Sequence, residues 1–448
     1  MLELKRKIYD RLLQWKNNSN GETAVLLEGA RRVGKSHIAQ KFGNAEYKSC
    51  LLIDFSNISK QVLEVFENDA ADYDLFFNKL SAFFGVKLYH RDSLIIFDEV
   101  QMFPQARQLI KHLVADGRYD YLETGSLITL KQNVENIVIP SEEECITMHP
   151  LDFEEFLWSM GDETTAPFLY ECFEKKIPLG DALHRKVMNL FRQYMLVGGM
   201  PQAVVTYVET KDFEKTDIIK RRILALYRND VGKFAKGYES KVLAIFDGIS
   251  SQLSRHEKKY RLSSIHKEAR YREYEDAFMW LDEAMIINTC FNTTEPHVGL
   301  RLNEERMTLK CYMADTGLLF SHAFSDKELI EEEVYKAILF DRLELNEGMF
   351  VENVVAQMLR SKGYQLFFYS RNDRENANNR MEIDFLISKK RKISPIEVKS
   401  SSYNKHVSLD KFKRKFASKI GESYIIYTKD LKVENDIVFI PIYMGMCL

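Results

Sequence analysis

The sequence predicts an α/β protein with a parallel sheet at its N-terminal end, a helical middle and a second α/β unit at its C-terminal end. Three observations predict it. Apolar runs of strand length alternate with helical stretches over residues 1–150, the pattern of a sheet covered on both faces. A glycine-containing turn joins the first of these runs to a helix. The same alternation returns over residues 346–428, after a long stretch dominated by helical periodicity.

Taken in order, residues 2–16 alternate apolar and charged positions at helical spacing, and Asn17–Gly21 ends that helix with turn formers. Ala24–Leu27, Leu51–Phe55, Leu94–Phe97 and Tyr121–Glu123 read as buried strands of a first domain, 1–150. A helical region follows at 151–235, with Leu183–Val197 and Phe213–Val231 as its clearest amphipathic stretches. Residues 236–335 read as a small helical unit closed by a hairpin, Ile286–Phe291 against Thr308–Met313, an order that suits a winged helix. Its acidic stretch, Glu331–Glu333, falls in a connecting helix. The last domain, 336–448, reads as helix Glu347–Lys362 and strand Gln365–Tyr369, then a polar loop, Arg371–Arg380. Strands Met381–Ile387 and Ile393–Lys399, a helix around Leu409–Ile420 and strand Ser423–Thr428 complete it.

The chain has 448 residues, 45% apolar and 29% charged, with a formal net charge of −3. That is the composition of a water-soluble protein with real cores, and it excludes a protein that is basic throughout. The six cysteines, at 50, 145, 172, 290, 311 and 447, include no CxxC pair, which argues against a cysteine zinc site. No segment approaches the ~18 apolar residues of a membrane span, and the N-terminus lacks an apolar signal core. The expectation is a cytoplasmic protein without a membrane partner.

The segment GARRVGKS, 29–36, matches G-x-x-x-x-G-K-[ST] in full, between the apolar run AVLLE and the helical run SHIAQKF. Gly29 and Gly34 allow tight turns. The backbone from Ala30, Arg31, Arg32 and Val33 into Ser36 and His37 would face phosphates at a helix N-terminus. Lys35 supplies a charge to the β/γ-phosphates of ATP and the Ser36 hydroxyl a ligand to Mg²⁺. A second segment, SLIIFDEVQ at 93–101, runs four apolar residues into Asp98 and Glu99. Acidic groups at the C-terminal end of a buried parallel strand lie where ligands bind. Asp98 there holds Mg²⁺ through water, and Glu99 polarises the attacking water as a general base. The competing reading is a plain helix cap. Thr124, with Gly125 and Ser126, ends the next strand. It reads either as a γ-phosphate contact or as an ordinary strand-to-turn transition.

These segments, with ETGS (123–126), HPLDFEEFL (149–157), YMLVGGMPQAV (194–204), MADTGLL (313–319) and NEGMFVENVV (346–355), give the chain a family resemblance. In order and over nearly its whole length it resembles bacterial and archaeal AAA+ ATPases that pair an N-terminal P-loop domain with a C-terminal domain of unknown function. The resemblance implies an additional-strand P-loop sheet, hydrolysis of ATP with Mg²⁺, and the roles above for Lys35, Ser36, Asp98 and Glu99. It also suggests an oligomer, although no arginine finger stands out. One departure is PSEEECITM, 140–148, where such proteins often carry a Gly-Arg pair. Arg31 and Arg32 remain as possible phosphate contacts.

A second constellation is Glu352, Asp384, Glu397 and Lys399. Glu397 and Lys399 lie two apart on a strand and share a face. With Asp384 on the neighbouring strand and Glu352 on the preceding helix, the carboxylates can hold Mg²⁺ and the lysine can orient a water toward a phosphodiester. The order resembles the restriction-endonuclease-like fold and makes Asp384, Glu397 and Lys399 candidates for nuclease catalysis. The alternative is a surface ion pair on an alternating strand. Around this cluster crowd Lys389, Lys390, Arg391, Lys392, Lys405, Lys411, Lys413, Arg414, Lys415 and Lys419, which either attract a DNA or RNA backbone or simply solvate a helix. The expected function is ATP turnover coupled to nucleic acid. The other readings are a signalling switch and a protein-remodelling ATPase whose C-terminal domain binds only a partner.

Overall fold

The computed structural model describes residues 2–125, 142–255, 258–326, 330–339, 347–371, 380–400 and 405–448. The chain forms two units, one spanning Arg6–His149 and the other Pro150–Leu448 together with the segment before Arg6. Among the described residues no helix is long and apolar enough to cross a membrane.

The first unit is built on five parallel strands: β1 (Ala24–Gly29), β2 (Ser49–Asp54), β3 (Ser93–Asp98), β4 (Asp120–Gly125) and β5 (Glu143–Met148). Helices α1 (Ile8–Ser19), α2 (Lys35–Glu46), α3 (Lys60–Asn68), α4 (Tyr73–Phe84) and α5 (Pro104–Asp116) accompany them. The strand order is β2-β3-β4-β1-β5, so β4 is inserted between β1 and β3, as the family resemblance implies. Every residue of β3 and β4 is buried; β3 accordingly reads as a continuous apolar run, whereas β4 also buries the polar Asp120, Glu123 and Thr124. One face of the sheet packs on Phe55, Phe66, Phe76, Phe97 and Phe103, whose rings meet mostly edge to face.

Two expectations fail here. The first helix begins at Ile8, not at residue 2. Arg6, just before it, sends its guanidinium to the carbonyls of Val33 (3.1 Å) and His149 (2.6 Å). The acidic segment at 140–148, noted only as a departure, supplies the edge strand β5. Glu143 is held there by Arg107 at 2.7 Å, and Thr147 donates across the ladder to Glu28 at 2.7 Å. An ion pair and a cross-ladder hydrogen bond thus help place this strand, beside the buried Ile146 and Met148. Ser126 and 140–141 lie outside the described residues.

The second unit has helices α6 (Phe153–Ser159), α7 (Thr165–Lys175), α8 (Asp181–Val197), α9 (Pro201–Thr210), α10 (Phe213–Phe234), α11 (Glu239–Leu253) and α12 (Tyr271–Glu283). It continues with α13 (Thr316–Ala323), α14 (Glu332–Leu339), α15 (Glu347–Ser361) and α16 (Val407–Lys415). Its strands are β6 (Ile287–Thr293), β7 (Glu304–Met313), β8 (Leu366–Arg371), β9 (Met381–Lys389), β10 (Lys392–Val398), β11 (Ser423–Tyr427), β12 (Lys432–Glu434) and β13 (Ile437–Pro441). All eight form one mixed sheet in the order β12-β13-β11-β10-β9-β8-β6-β7.

The expected hairpin is present as β6 and β7, antiparallel with Ile287 opposite Met313. It does not close a separate winged-helix-like unit. β6 also pairs in parallel with β8, Phe291 opposite Phe367, and so carries the sheet across the boundary expected at 335. The cause is an edge whose backbone groups would otherwise be unpaired. Most of the polar loop after β8, and Asn346, lie outside the described residues.

Candidate functional site

β1 ends at Gly29, and the next five residues turn the chain into α2. Gly29 has no room for a side chain: a Cβ would lie 2.4 Å from the carbonyl oxygen of Met148 on β5. Arg32 and Gly34 both take left-handed backbone conformations, with φ of 73° and 98°. For Gly34 this has no steric cost, and it delivers Lys35 to the first position of α2. Ala30 and Val33 are buried, whereas Arg31, Arg32 and His37 are exposed. What Ala30 and Val33 can offer a ligand is therefore backbone.

Lys35 is buried, and its ammonium folds back on the loop, donating to the carbonyls of Gly29 (2.9 Å) and Ala30 (3.1 Å). Burial lowers its pKa below the usual lysine range, against the opposing pull of Glu99 and Asp98. The carboxylates at the end of β3 are thus close enough to feel this charge. Ser36 donates to Asp98 at 2.7 Å, and the Thr124 hydroxyl donates to the same Asp98 oxygen. The Thr124 oxygen also accepts from the backbone N–H of Glu99 at 3.2 Å. β4, inserted between β1 and β3, therefore bridges Asp98 and the Glu99 backbone through Thr124, while Ser36 ties the start of α2 to Asp98. Glu99 sits in the left-handed region with φ of 53°, a conformation a glutamate adopts only under constraint, and its carboxylate accepts from the Gln101 amide. Lys35, Ser36, Asp98, Glu99 and Thr124 are brought together at one edge of the sheet. The reading of Asp98–Glu99 as a mere helix cap finds no support in these contacts. Arg6, Gln101 and the role of Thr124 as a bridge were not evident in the sequence, because each acts through a contact with a residue distant in the chain or through a turn.

The second constellation is arranged differently. Asp384 lies on β9, Glu397 on β10, Lys399 just past its end, and Glu352 on α15. Glu397 and Lys399 do share a face and pair at 3.1 Å. Burial raises the Glu397 carboxyl above its usual range, while Lys399 opposes this. Asp384 spends one oxygen on the backbone N–H of Val398, at 2.9 Å. Its other oxygen faces Lys310 of β7 at 3.3 Å. The same ammonium lies 3.1 Å from Glu382 and 3.9 Å from Glu352. Glu352 in turn accepts from the Tyr312 hydroxyl at 3.0 Å and pairs with Lys258 at 3.4 Å. Among the described residues no group of three His, Cys, Asp or Glu side chains converges as a metal site would require. Lys310 was not singled out by the sequence, since it comes from the hairpin expected to belong elsewhere.

The family words outside the first unit also meet. Gly199 donates to Asp315 at 2.6 Å and accepts from the backbone N–H of Leu151 at 2.7 Å. Asp315 caps α13 through the Leu318 N–H at 2.9 Å. Asn353 of α15 accepts from the backbone N–H of Met313 at 2.8 Å and donates to the Thr316 hydroxyl at 3.0 Å, and Gln357, just past that word, donates to the Tyr194 hydroxyl at 3.0 Å. A Cβ on Gly199 would meet the Leu151 oxygen at 2.1 Å. These words encode a buried junction of loops and helices.

Comparison with known proteins gives three family matches. Residues 21–157 match an AAA domain, residues 188–328 a domain of unknown function (DUF8612), and residues 347–444 a domain of unknown function (DUF4143). No curated protein matches the chain. Among solved structures, the ORC2 protein of Aeropyrum pernix, in ADPNP–ADP complexes, is similar at 11% identity and a TM-score of 0.35, over 76% of this chain and 95% of that one. The Aeropyrum pernix ORC1 protein in complex with DNA is similar at 12% identity and a TM-score of 0.29, over 72% and 93%. AMPPCP-bound DnaA from Aquifex aeolicus is similar at 12% and 0.28, over 77% and 93%. The first unit, with its parallel sheet and complete phosphate-loop sequence, is a P-loop domain of AAA type.

Proposed function

We propose that the protein is an ATPase that binds ATP and Mg²⁺ at the end of β1 and couples nucleotide state to nucleic-acid binding by its C-terminal unit. The observation that carries the reading is the convergence of Lys35, Ser36, Asp98, Glu99 and Thr124 at one edge of the sheet. The donor set suits the ligand. A loop ending in the N-terminus of α2 presents backbone N–H groups to phosphate. Ser36 and Asp98 offer the hard oxygens that Mg²⁺ prefers.

In this reading Lys35 exchanges its two loop carbonyls for phosphate oxygens, and Ser36 and Asp98 hold the cation. Bound Mg²⁺ supplies charge neutralisation on the phosphates. Glu99 is the base that orients and deprotonates the attacking water, held in place by Gln101 and by the Thr124 bridge to its backbone. Gly29–His37 line the phosphates, with Arg31 and Arg32 exposed beside them.

Nucleic acid enters through charge. Lys389, Lys390, Arg391, Lys392, Lys405, Arg414, Lys415 and Lys419 are exposed on the C-terminal unit, and such a surface attracts a phosphate backbone irrespective of sequence.

The test is an ATP-binding and turnover assay with two variants. Lys35→Ala abolishes nucleotide binding or turnover. Glu99→Gln keeps binding and slows hydrolysis by roughly 10²–10⁴-fold. Unchanged turnover in Lys35→Ala refutes the site, and unchanged turnover in Glu99→Gln moves the base elsewhere.

A further inference from the structure

The resemblance of the C-terminal strands to a nuclease fold implies a divalent metal among Glu352, Asp384 and Glu397. The residues present do not fit one. Lys310, 1% exposed, places its ammonium among Glu382, Asp384 and Glu352 at 3.1, 3.3 and 3.9 Å. These groups come from β7, β9 and α15, so the lysine lies where separate elements bring their carboxylates together. Burial alone would depress its pKa, but Asp384, Glu352 and Glu382 together hold it above the usual lysine range, so it stays charged.

The charges also balance. Lys258 pairs with Glu352 at 3.4 Å and Lys259 with Glu382 at 3.7 Å. With Lys310, three ammonium groups meet the three carboxylates Glu352, Glu382 and Asp384 among the described residues. Glu397 is matched separately by Lys399, and the second Asp384 oxygen is taken by the Val398 N–H. Mg²⁺ needs oxygens at about 2.0–2.1 Å in near-octahedral array. To enter, it would have to expel a tethered ammonium from a neutral cluster, and one unit of positive charge would still be left in excess.

We propose that Lys310 is the resident cation of this carboxylate cluster. It stands where a divalent ion would otherwise bind, so the C-terminal unit is assembled and works without a metal there. The β6–β7 hairpin is then a built-in plug, and the unit is a binding module whose carboxylates serve cohesion.

The experiment measures Mn²⁺ binding to the full, nucleotide-free chain by loss of the free-ion EPR signal, with melting temperature read in parallel. The wild type and Asp384→Asn give the same Mn²⁺ isotherm, because this cluster takes none. Lys310→Ala opens three carboxylates. It gains one Mn²⁺ site and a Mn²⁺-dependent rise in melting temperature, and adding Asp384→Asn weakens that site by roughly tenfold or more. Lys310→Gln, which keeps a hydrogen-bond donor in place, behaves the same way and serves if Lys310→Ala does not fold. Wild-type Mn²⁺ binding that is lost in Asp384→Asn overturns the proposal. So does a folded Lys310 variant that gains no Mn²⁺, and so does failure of both Lys310 variants to fold at any Mn²⁺ concentration.

Discussion

At the scale of single residues, Thr124 and Lys220 show how a side chain is defined by what surrounds it. Thr124 touches both halves of the acidic pair, donating to Asp98 and accepting from the Glu99 backbone. Thr124→Val keeps shape but removes both contacts. We expect turnover to fall roughly 100-fold with KM for ATP little changed, measured by steady-state kinetics, because the loss falls on the positioning of the base. Lys220 is fully buried in the second unit, donating to the Leu196 carbonyl at 2.7 Å with the rings of Phe320 and Tyr335 each 5.5 Å away. Burial lowers its pKa from 10.5 to about 8 despite Asp217 and Asp315. Between those two values the unfolded chain holds a proton that the folded chain has released, so stability rises with pH across that window, by on the order of 3 kcal/mol. Below about 8 both states are protonated and the gain is absent. Urea unfolding at pH 7.5 and pH 10 should show the gain in the wild type and its loss in Lys220→Met. An equal gain in both would mean that Lys220 does not titrate there.

At the scale of elements, strands and loops are specified jointly. Gly29 belongs to β1, yet its constraint comes from β5, whose Met148 oxygen would lie 2.4 Å from an added Cβ. Gly29→Ala forces the two strands apart and should cost about 1–3 kcal/mol in thermal or chemical unfolding. It should weaken nucleotide binding as well, since the displaced strand carries the loop. β5 itself carries Glu143 and Glu144 and is recognisable only once Arg107 and Thr23 are seen to donate to them, at 2.7 and 2.9 Å. The Asp315–Gly199–Leu151 junction makes the same point in the second unit, where words separated by more than a hundred residues prove to be one packing motif.

At the scale of the molecule, the P-loop unit and the basic surface are expected to report on each other through ATP turnover. Single- or double-stranded nucleic acid should raise the turnover rate. The stimulation should decline steeply between 50 and 200 mM salt, as counterion release requires. Replacing Arg414, Lys415 and Lys419 together by alanine should reduce stimulation while leaving basal turnover intact, because none of them belongs to the ATP site. Indifference to every nucleic acid tested would count against coupling and favour a protein partner for the C-terminal unit.

Much of the fold was legible locally. The strands around Leu26, Ile53 and Ile96 contain continuous apolar runs because both faces of the sheet are covered, and the helices beside them keep their own period. The loop proposed to take phosphate was legible for a related reason: its motif is written in consecutive residues, so Gly29, Gly34, Lys35 and Ser36 can be read without a partner. Asp98 and Glu99 needed only the end of a strand. What the sequence could not reveal depends on residues that meet from far apart. Its alternating strands announced Asp384, Glu397 and Lys399, but not that Lys310, some seventy residues earlier on another hairpin, stands among their neighbours. By itself the sequence determined a P-loop α/β unit and a second α/β unit rich in lysine. Only the tertiary structure decided that the hairpin joins the C-terminal sheet and that an ammonium sits in its carboxylate cluster. Charge balance in a buried site is a sum over groups from several elements, and no local stretch of sequence contains that sum.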